Sequence, residues 1–535
     1  MNFKKIFQQL IWGFVFMLIV SVLYSGALET TGKSDNGRTD VISIQMTGGK
    51  SQMPAVMFFH DLHTASLENQ DCSTCHLKGD DKQYSFKFMR TVDFDYDVNM
   101  TVYHENCIGC HNRMKSEGKF AGPDTGKCRG CHNQDANVVT SWANLDFDRS
   151  LHYRHESAGA IKPVSEKHKN NCGACHHEFD KKLRKTVYVP GKEGACQYCH
   201  QDVNTKDVRD MQTVAHESCV NCHLALKSKR VIKTGPTECK GCHDLELQKE
   251  IKQAESVPRM KRNQPDFVLM AASLMKSMAS NTKSKATIPP VAFNHKQHET
   301  ASQSCQTCHH ASLEKCSSCH TITGDKKGQF IPLEKAMHET KSTQSCVGCH
   351  KDAQTKKDCA GCHAQMAMGN KRSNQCNRCH HMDIKDSEQL PSETDAQVMM
   401  AKASVDNRNT TPVIYDSKIV PEKVSIGVMA KEYQPADFPH EKVVKSLLAR
   451  LNKNTMGTYF HQDKYVMCQG CHHNSPQSAT PPKCASCHGV APKMATDGRP
   501  GLKGAYHGQC IGCHEEMGIE KPAATACIEC HKKKQ

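Results

Sequence analysis

The chain has 535 residues, of which only 37% are hydrophobic and 6% aromatic, and a formal net charge of +14. Such a composition is lean for this length and excludes a well-filled core built from protein alone. The excess of 70 Lys and Arg over 56 Asp and Glu suggests a polyanionic partner, nucleic acid or anionic lipid, a reading that fails once the charges of the groups inferred below are counted.

At the N-terminus, Lys4 and Lys5 precede an apolar run from Ile11 to Tyr24, and Ser25, Gly26 and Ala27 follow it. A charged head, an apolar middle and a small-residue end predict a secretory signal over residues 1–27. The run is short for a full membrane span, and the alternative is a retained single-helix anchor. The expected location is the periplasm, with association to the outer face of the cytoplasmic membrane as its variant.

Beyond the signal, all 32 cysteines fall in Cys-x-x-Cys-His pentads. The first four are Cys72, Cys75 and His76; Cys107, Cys110 and His111; Cys128, Cys131 and His132; and Cys172, Cys175 and His176. Then come Cys196, Cys199 and His200; Cys219, Cys222 and His223; and Cys239, Cys242 and His243. The next five are Cys305, Cys308 and His309; Cys316, Cys319 and His320; Cys346, Cys349 and His350; Cys359, Cys362 and His363; and Cys376, Cys379 and His380. The last four are Cys468, Cys471 and His472; Cys484, Cys487 and His488; Cys510, Cys513 and His514; and Cys527, Cys530 and His531. Two thiols three residues apart can add to the two vinyl groups of one haem, and the following His reaches its iron. A zinc ribbon gives no reason for a His after every second Cys, and a disulfide framework would show varied spacings. Sixteen haems c are therefore expected, attached outside the cytoplasmic membrane, in agreement with the signal.

Other histidines recur around the pentads in a fixed order. A first unit opens with Phe59-His60-Asp61-Leu62-His63 and has His104 before Cys107. A second, from Phe147, has His152 and His155, His177 directly after His176, and His216 before Cys219. A third, from Pro290, has His295 and His298, His310 after His309, and His338 before Cys346. The last, from Phe438, has His440, His473 after His472, and His507 before Cys510, while the pentad at Cys376 stands alone between the third and last units.

In the third unit the order FxHxxH, CxxCHH, CxxCH, a lone His, then CxxCH twice resembles the tetrahaem cytochrome c3 (class III) family along its whole length. The succession of three, four, four, one and four haems resembles the high-molecular-weight, sixteen-haem cytochromes c of sulfate-reducing bacteria. From the third unit onward it also resembles the nine-haem cytochromes. The resemblance implies a multihaem cytochrome of tandem c3-like modules with little regular secondary structure, its short α-helices and loops wrapped around haems. It implies a three-haem module at 55–140, four-haem modules at 145–245, 289–365 and 438–535, a helical connector at 246–288, and an isolated haem with connector at 370–437.

The resemblance also implies distal ligands. His60, His63 and His104 would face the haems on Cys72, Cys107 and Cys128. His152, His155, His177 and His216 would face those on Cys172, Cys219, Cys196 and Cys239. His295, His310, His298 and His338 would face those on Cys305, Cys316, Cys346 and Cys359. In the last unit His440 stands alone, because Val443 occupies the place of the second ligand. His461 is expected to serve the haem on Cys376, leaving the haem on Cys510 five-coordinate through His514. His168 and His381 receive no role.

Helices are expected from Leu245 through LELQKEIKQAE, over Gln264–Ser280, and over Lys442–Leu451. Met382 to Asp437 reads as an irregular, Pro-interrupted connector. Both haem-free stretches are expected to act as clasps packed on the haem modules. The 24 Met follow no pattern of ligation and are expected to pack on porphyrin.

Loss of Lys4 and Lys5 leaves +12. Sixteen ferric bis-histidine haems at −1 each bring the total to about −4, and ferrous haems at −2 bring it to about −20. The basic surplus is thus mostly counter-charge for propionates, which removes nucleic acid as a partner. A bis-His haem binds no substrate, so an electron carrier is expected rather than an enzyme. The resemblance implies a periplasmic hydrogenase and a small tetrahaem cytochrome as donors, and a membrane-bound redox complex as acceptor, in anaerobic sulfate respiration. Contact with the membrane would come only through partners or an uncleaved signal. The alternative is a reductase of a small oxyanion at one five-coordinate haem.

Overall fold

The computed structural model describes residues 39–45, 53–67, 71–133, 142–205, 207–231, 233–272, 288–366, 373–382, 390–391, 393–408, 411–429, 433–490, 498–523 and 526–534. The expected signal lies outside these residues. The chain divides into two compact units, Met1–Val257 and Pro258–Gln535.

In the first unit, β1 (Val41–Ile44) pairs antiparallel with β2 (Val56–Phe59), Val41 lying opposite Phe59. The ladder delivers the chain into the helix His60–Ala65, which is too short to stand alone in water. It is docked because the His60 N–H donates to the Asp40 carbonyl at 2.8 Å. The three-residue spacing of His60 and His63 then places both on one helical face.

Pentads fold as single tight turns. The His N–H donates to the carbonyl of the first Cys, at 2.9 Å in His176, 2.8 Å in His320 and 2.8 Å in His472. Positions i, i+3 and i+4 share one side of such a turn, so both sulfurs and the imidazole emerge together. After the pentads at Cys72 and Cys172 the chain forms equivalent two-stranded sheets, β3 (His76–Lys78) with β4 (Tyr84–Phe88) and β5 (Glu178–Asp180) with β6 (Lys185–Val187).

The helix Tyr96–Ser116 carries both His104 and the pentad at Cys107, and Asp95 caps it by accepting from the Val98 N–H at 2.9 Å. Its counterpart in the second module starts at the Asp210 cap, runs through Met211–Ala215, loosens into a π-turn at His216–Val220, and continues over Asn221–Ser228. A π-turn is commonly found where a helix positions a functional group, and here it spans His216 and Cys219. The Asn221 side chain reaches back to the first module, accepting from the Tyr84 N–H at 2.9 Å and donating to its carbonyl at 3.0 Å.

The connectors depart from expectation. Leu245–Lys249, in the first unit, is only a single helical turn and a half. Phe267–Met270, expected as helix, is strand β7, paired antiparallel with β8 (Val291–Asn294), Phe267 opposite Asn294. Residues 273–280 of that expected helix lie outside the described residues. The expected irregular connector contains a 13-residue helix, Thr394–Asp406, and the strands β9 (Val424–Ile426) and β10 (Ala436–Phe438). Leu269, Ala292 and Ala401 are buried together where that helix crosses β7 and β8, with Phe267, Met382, Leu390, Met400 and Val405 around them. The expected helix at Lys442–Leu451 lies within His440–Lys453.

Farther on, the helix Lys357–His363 packs against Leu502–Met517. The contact needs Gly361, where a Cβ would stand 2.5 Å from Met517 Sδ and 2.8 Å from Cys513 Sγ. Fully buried apolar side chains are otherwise few among the described residues, as the lean composition requires.

Candidate haem centres

Fifteen of the sixteen pentad histidines face a second histidine at nearly constant distance. In the first unit the ring centroids of His60 and His76 are 6.4 Å apart, His63 and His111 6.2 Å, and His104 and His132 6.2 Å. His152 lies 6.2 Å from His176, His155 6.3 Å from His223, His177 5.9 Å from His200, and His216 6.1 Å from His243. In the second unit the pairs are His295 with His309 at 6.3 Å, His310 with His320 at 5.9 Å, and His298 with His350 at 6.2 Å. His440 and His472 follow at 6.3 Å, His473 and His488 at 5.9 Å, and His507 and His531 at 6.0 Å. Two metal–imidazole bonds of about 2 Å, with half a ring on either side, give a centroid separation of about 6 Å. The donor pairs therefore fit one iron each, with the two pentad sulfurs beside it for the porphyrin edge.

Two pairs overturn the expected assignment. His338 faces His380 of the solitary pentad at 6.1 Å, and His461 faces His363 at 6.0 Å. His338 thus belongs with the haem on Cys376 rather than Cys359, and His461 with the haem on Cys359 rather than Cys376. The reason lies in the spacing. His104, His216 and His507 stand three residues before their pentads, on the same helix, whereas His338 stands eight before Cys346. Its helix, Leu333–His338, ends before Cys346–Ala353 begins, which frees the ring to reach a different haem. His461 fills the resulting gap from the end of the helix Thr455–Phe460.

Hydrogen bonds fix which nitrogen each ring presents. Nδ1 of His76 lies 3.0 Å from the Ser85 carbonyl, that of His111 2.7 Å from Pro123, and that of His223 2.8 Å from Pro236. On the distal side the same nitrogen reaches the carbonyl four residues back: His63 to Phe59, His155 to Leu151, His298 to Asn294, His338 to Glu334 and His461 to Gly457, all at 2.8 Å. A carbonyl can only accept, so Nδ1 carries the proton and Nε2 is left for metal. Burial is also the leading cause that pushes His76, His298, His350, His363 and His461 below the usual histidine range, and ligation requires that neutral form. Gly122 and Gly235 keep space for two of these rings, since a Cβ there would meet His111 at 2.7 Å and His223 at 2.1 Å.

The sulfurs are less uniformly enclosed than the rings. Burial pushes the half-buried thiols of Cys107 and Cys362 up to about 11. By contrast, the second cysteines Cys199, Cys222, Cys349 and Cys487 are exposed, and Cys110 and Cys319 are half-buried. No histidine, carboxylate or second sulfur closes a metal-binding cluster around any of these six among the described residues. Their expected role is therefore carried by pentad spacing alone, and the structure adds only that the turn holds them in place. The Cys199, Cys319 and Cys487 N–H groups donate to the first cysteine of their own pentads at 3.2, 3.2 and 3.1 Å, and that of Cys349 donates to Ser345 at 2.9 Å. Cys110 and Cys222 lie within the helices Tyr96–Ser116 and Asn221–Ser228. An accessible sulfur outside any disulfide suits a thioether to a haem edge that reaches solvent.

His514 stands apart. Its Nδ1 is held 3.0 Å from the Pro522 carbonyl, and among the described residues no histidine ring faces it across the spacing seen in the other fifteen. His168 packs edge-on to Tyr188 at 4.8 Å, and His381 Nε2 is 3.0 Å from Ser404 Oγ; neither joins a pair. None of the 32 cysteines forms a disulfide. Among the described residues the only cluster of three close metal donors is His60, Asp61 and Cys239, so no four-sulfur or two-sulfur, two-histidine zinc set exists there.

The first, third and last parts of the chain, residues 39–132, 271–380 and 435–535, match the class III cytochrome C family. Residues 99–215 also match domains II/IV of outer membrane cytochromes of the MtrC/MtrF type. The high-molecular-weight cytochrome c of Nitratidesulfovibrio vulgaris is 44% identical over 510 residues, 93% of this chain and 92% of the relative. The nine-heme cytochrome c of Desulfovibrio desulfuricans is 37% identical over 46% of this chain and 80% of its own length. Among solved structures, the sixteen heme cytochrome from Desulfovibrio gigas superposes with a TM-score of 0.81 at 36% identity, covering 93% of this chain and all of that one. These matches, together with sixteen intact pentads in c3-like order, show that the chain belongs to the class III cytochrome c family, as a multihaem cytochrome of tandem c3-like modules.

Proposed function

We propose that this protein is a periplasmic relay that carries electrons on sixteen covalent haems c, from a hydrogenase or small tetrahaem cytochrome to a membrane-bound redox complex in sulfate respiration. The single observation that carries the reading is the set of fifteen histidine pairs at 5.9–6.4 Å. When bound, haem supplies the one-electron couple. The paired histidines would hold its iron from both sides and so leave no position for other ligands. The backbone carbonyls at Nδ1 lock each ring so that little rearrangement accompanies electron exchange. Among the described residues no helix is long and apolar enough to cross a membrane. The test is stopped-flow mixing with pre-reduced small tetrahaem cytochrome. Fast reduction of the chain, with no small molecule required, is expected; failure to accept electrons would overturn the relay.

A second reading, reduction of a small oxyanion at the haem on Cys510, is favoured by one observation: among the described residues, no histidine opposes His514. Sustained oxidation of the reduced protein by nitrite or sulfite would support it over a pure relay.

A further inference from the structure

His60, His152, His295 and His440 hold the same place in the four modules, yet their Nδ1 atoms meet different surroundings. His60 Nδ1 is 3.6 Å from Asp61 and 4.0 Å from Cys239 Sγ. His152 Nδ1 is 4.0 Å from Glu156. His440 Nδ1 is buried and faces the Pro421 backbone without good hydrogen-bond geometry. His295 Nδ1 is 2.9 Å from the Pro265 carbonyl and also 3.0 Å from Glu299 Oε1.

That carboxylate is built in. Glu299 lies four residues after His295 on the helix His295–Ala301, and its side chain is only 17% exposed. Arg259 grips it with two nitrogens, Nη2 to Oε1 at 3.0 Å and Nε to Oε2, and also pairs with Asp266. Gln264 Nε2 reaches Oε2 at 3.5 Å. Arg259, Gln264, Pro265 and Asp266 all come from the haem-free stretch before β7. The β7–β8 pairing sets them beside the histidine, the Lys296 N–H donating to the Asp266 carbonyl at 3.1 Å. One guanidinium and two carboxylates leave the cluster with a charge of −1.

We propose that Glu299 is a positioning residue that lowers the potential of the haem on Cys305, and that the segment Arg259–Asp266 serves to hold it. The inference rests on the bis-histidine reading above. The Nδ1–H of His295 donates to the Pro265 carbonyl, and a carboxylate charge held 3.0 Å from that nitrogen raises the basicity of the ligating ring. The ferric state carries one more positive charge, and both the more basic ligand and the nearby negative charge favour it. Arg259 opposes part of the charge effect but fixes the carboxylate at Nδ1, and Asp266 leaves the net sign negative.

The experiment is a redox titration of purified holoprotein, followed by visible and paramagnetic resonance spectra, for the parent and Glu299→Gln. The amide keeps the size of the side chain and an acceptor oxygen while removing the charge. One haem in sixteen is expected to become easier to reduce by about tenfold, an upward move of about 59 mV for one electron, with the low-spin count unchanged. The moving component should vanish when Cys305 and Cys308 are both changed to Ser. A Gln titration that overlays the parent would overturn the proposal. So would loss of a low-spin haem in Glu299→Gln, which would make the residue merely structural. His295→Ala separates the two layers: a gain of one high-spin haem upholds the ligand reading, while an unchanged count removes that reading and the proposal with it.

Discussion

The exchanged partners of His338 and His461 can be tested by deleting one haem and then one ligand. Cys376→Ser with Cys379→Ser removes the solitary haem and leaves fifteen, of which one, on Cys510, is expected to be high-spin. His461 faces His363 at 6.0 Å, so His461→Ala in this background opens the haem on Cys359 and raises the high-spin share from one in fifteen to two in fifteen. His338 faces only His380, at 6.1 Å, whose haem is already absent, so His338→Ala in the same background leaves the share at one in fifteen. The doubled signal has a structural signature too, because the helices Lys357–His363 and Leu502–Met517 pack together and the two open haems would be neighbours. Quantitative paramagnetic resonance of the ferric proteins reads the share directly. The reverse outcome, a second high-spin haem from His338→Ala and none from His461→Ala, would refute the geometric assignment and restore the family template.

In the full-length protein, Val443→His should convert the high-spin haem on Cys510 to low-spin, and a visible spectrum unchanged from the parent would show that position 443 does not look onto that iron. Gly361→Ala would drive a Cβ toward Met517 and Cys513; overpacking of this kind costs about 1–3 kcal/mol, to be read as a lowered melting temperature of the holoprotein. Asp210 is buried, which opposes its ionisation, but hydrogen bonds from Thr213 and Asn204 outweigh this and hold its carboxyl below the usual range. Its cap is therefore worth about 1 kcal/mol above the unfolded carboxylate pKa and is lost as pH falls through the folded one. Asp210→Asn should flatten that part of the acid-stability curve. Reduction by a small cytochrome partner should change with salt, since the charges of 70 Lys and Arg and of the haem propionates act through screened fields; rates flat with ionic strength would remove electrostatics from docking.

The pentads were legible because their whole chemistry lies within five consecutive residues, and the His-x-x-His helices because their ligands sit one turn apart. The expectation of an open iron at His514 rests on a single residue, Val443, in place of a ligand, and no described histidine ring faces His514. The exchange of His338 and His461 was not read, although its signal was present: eight residues separate His338 from Cys346 where the other modules have three. Which haem gains the freed ring depends on how helices of two modules pack, and no local pattern encodes that. Phe267–Met270 was misread because FVLMAASLM suits a helix as well as a strand, and the choice was made by pairing with Val291–Asn294, more than twenty residues away. The helix Thr394–Asp406 was missed because the whole of Met382–Asp437 was read as Pro-interrupted, whereas no proline lies within Thr394–Asp406.

The central claim is that histidine closes both axial positions of every haem but one. Titration of the fully reduced protein with carbon monoxide, followed by visible difference spectroscopy against haem content from the pyridine haemochrome, tests it most directly. The geometry predicts sixteen haems per chain and carbon monoxide uptake that saturates at one. Saturation at two or more would contradict the pairing of the fifteen histidine couples and the relay built on it.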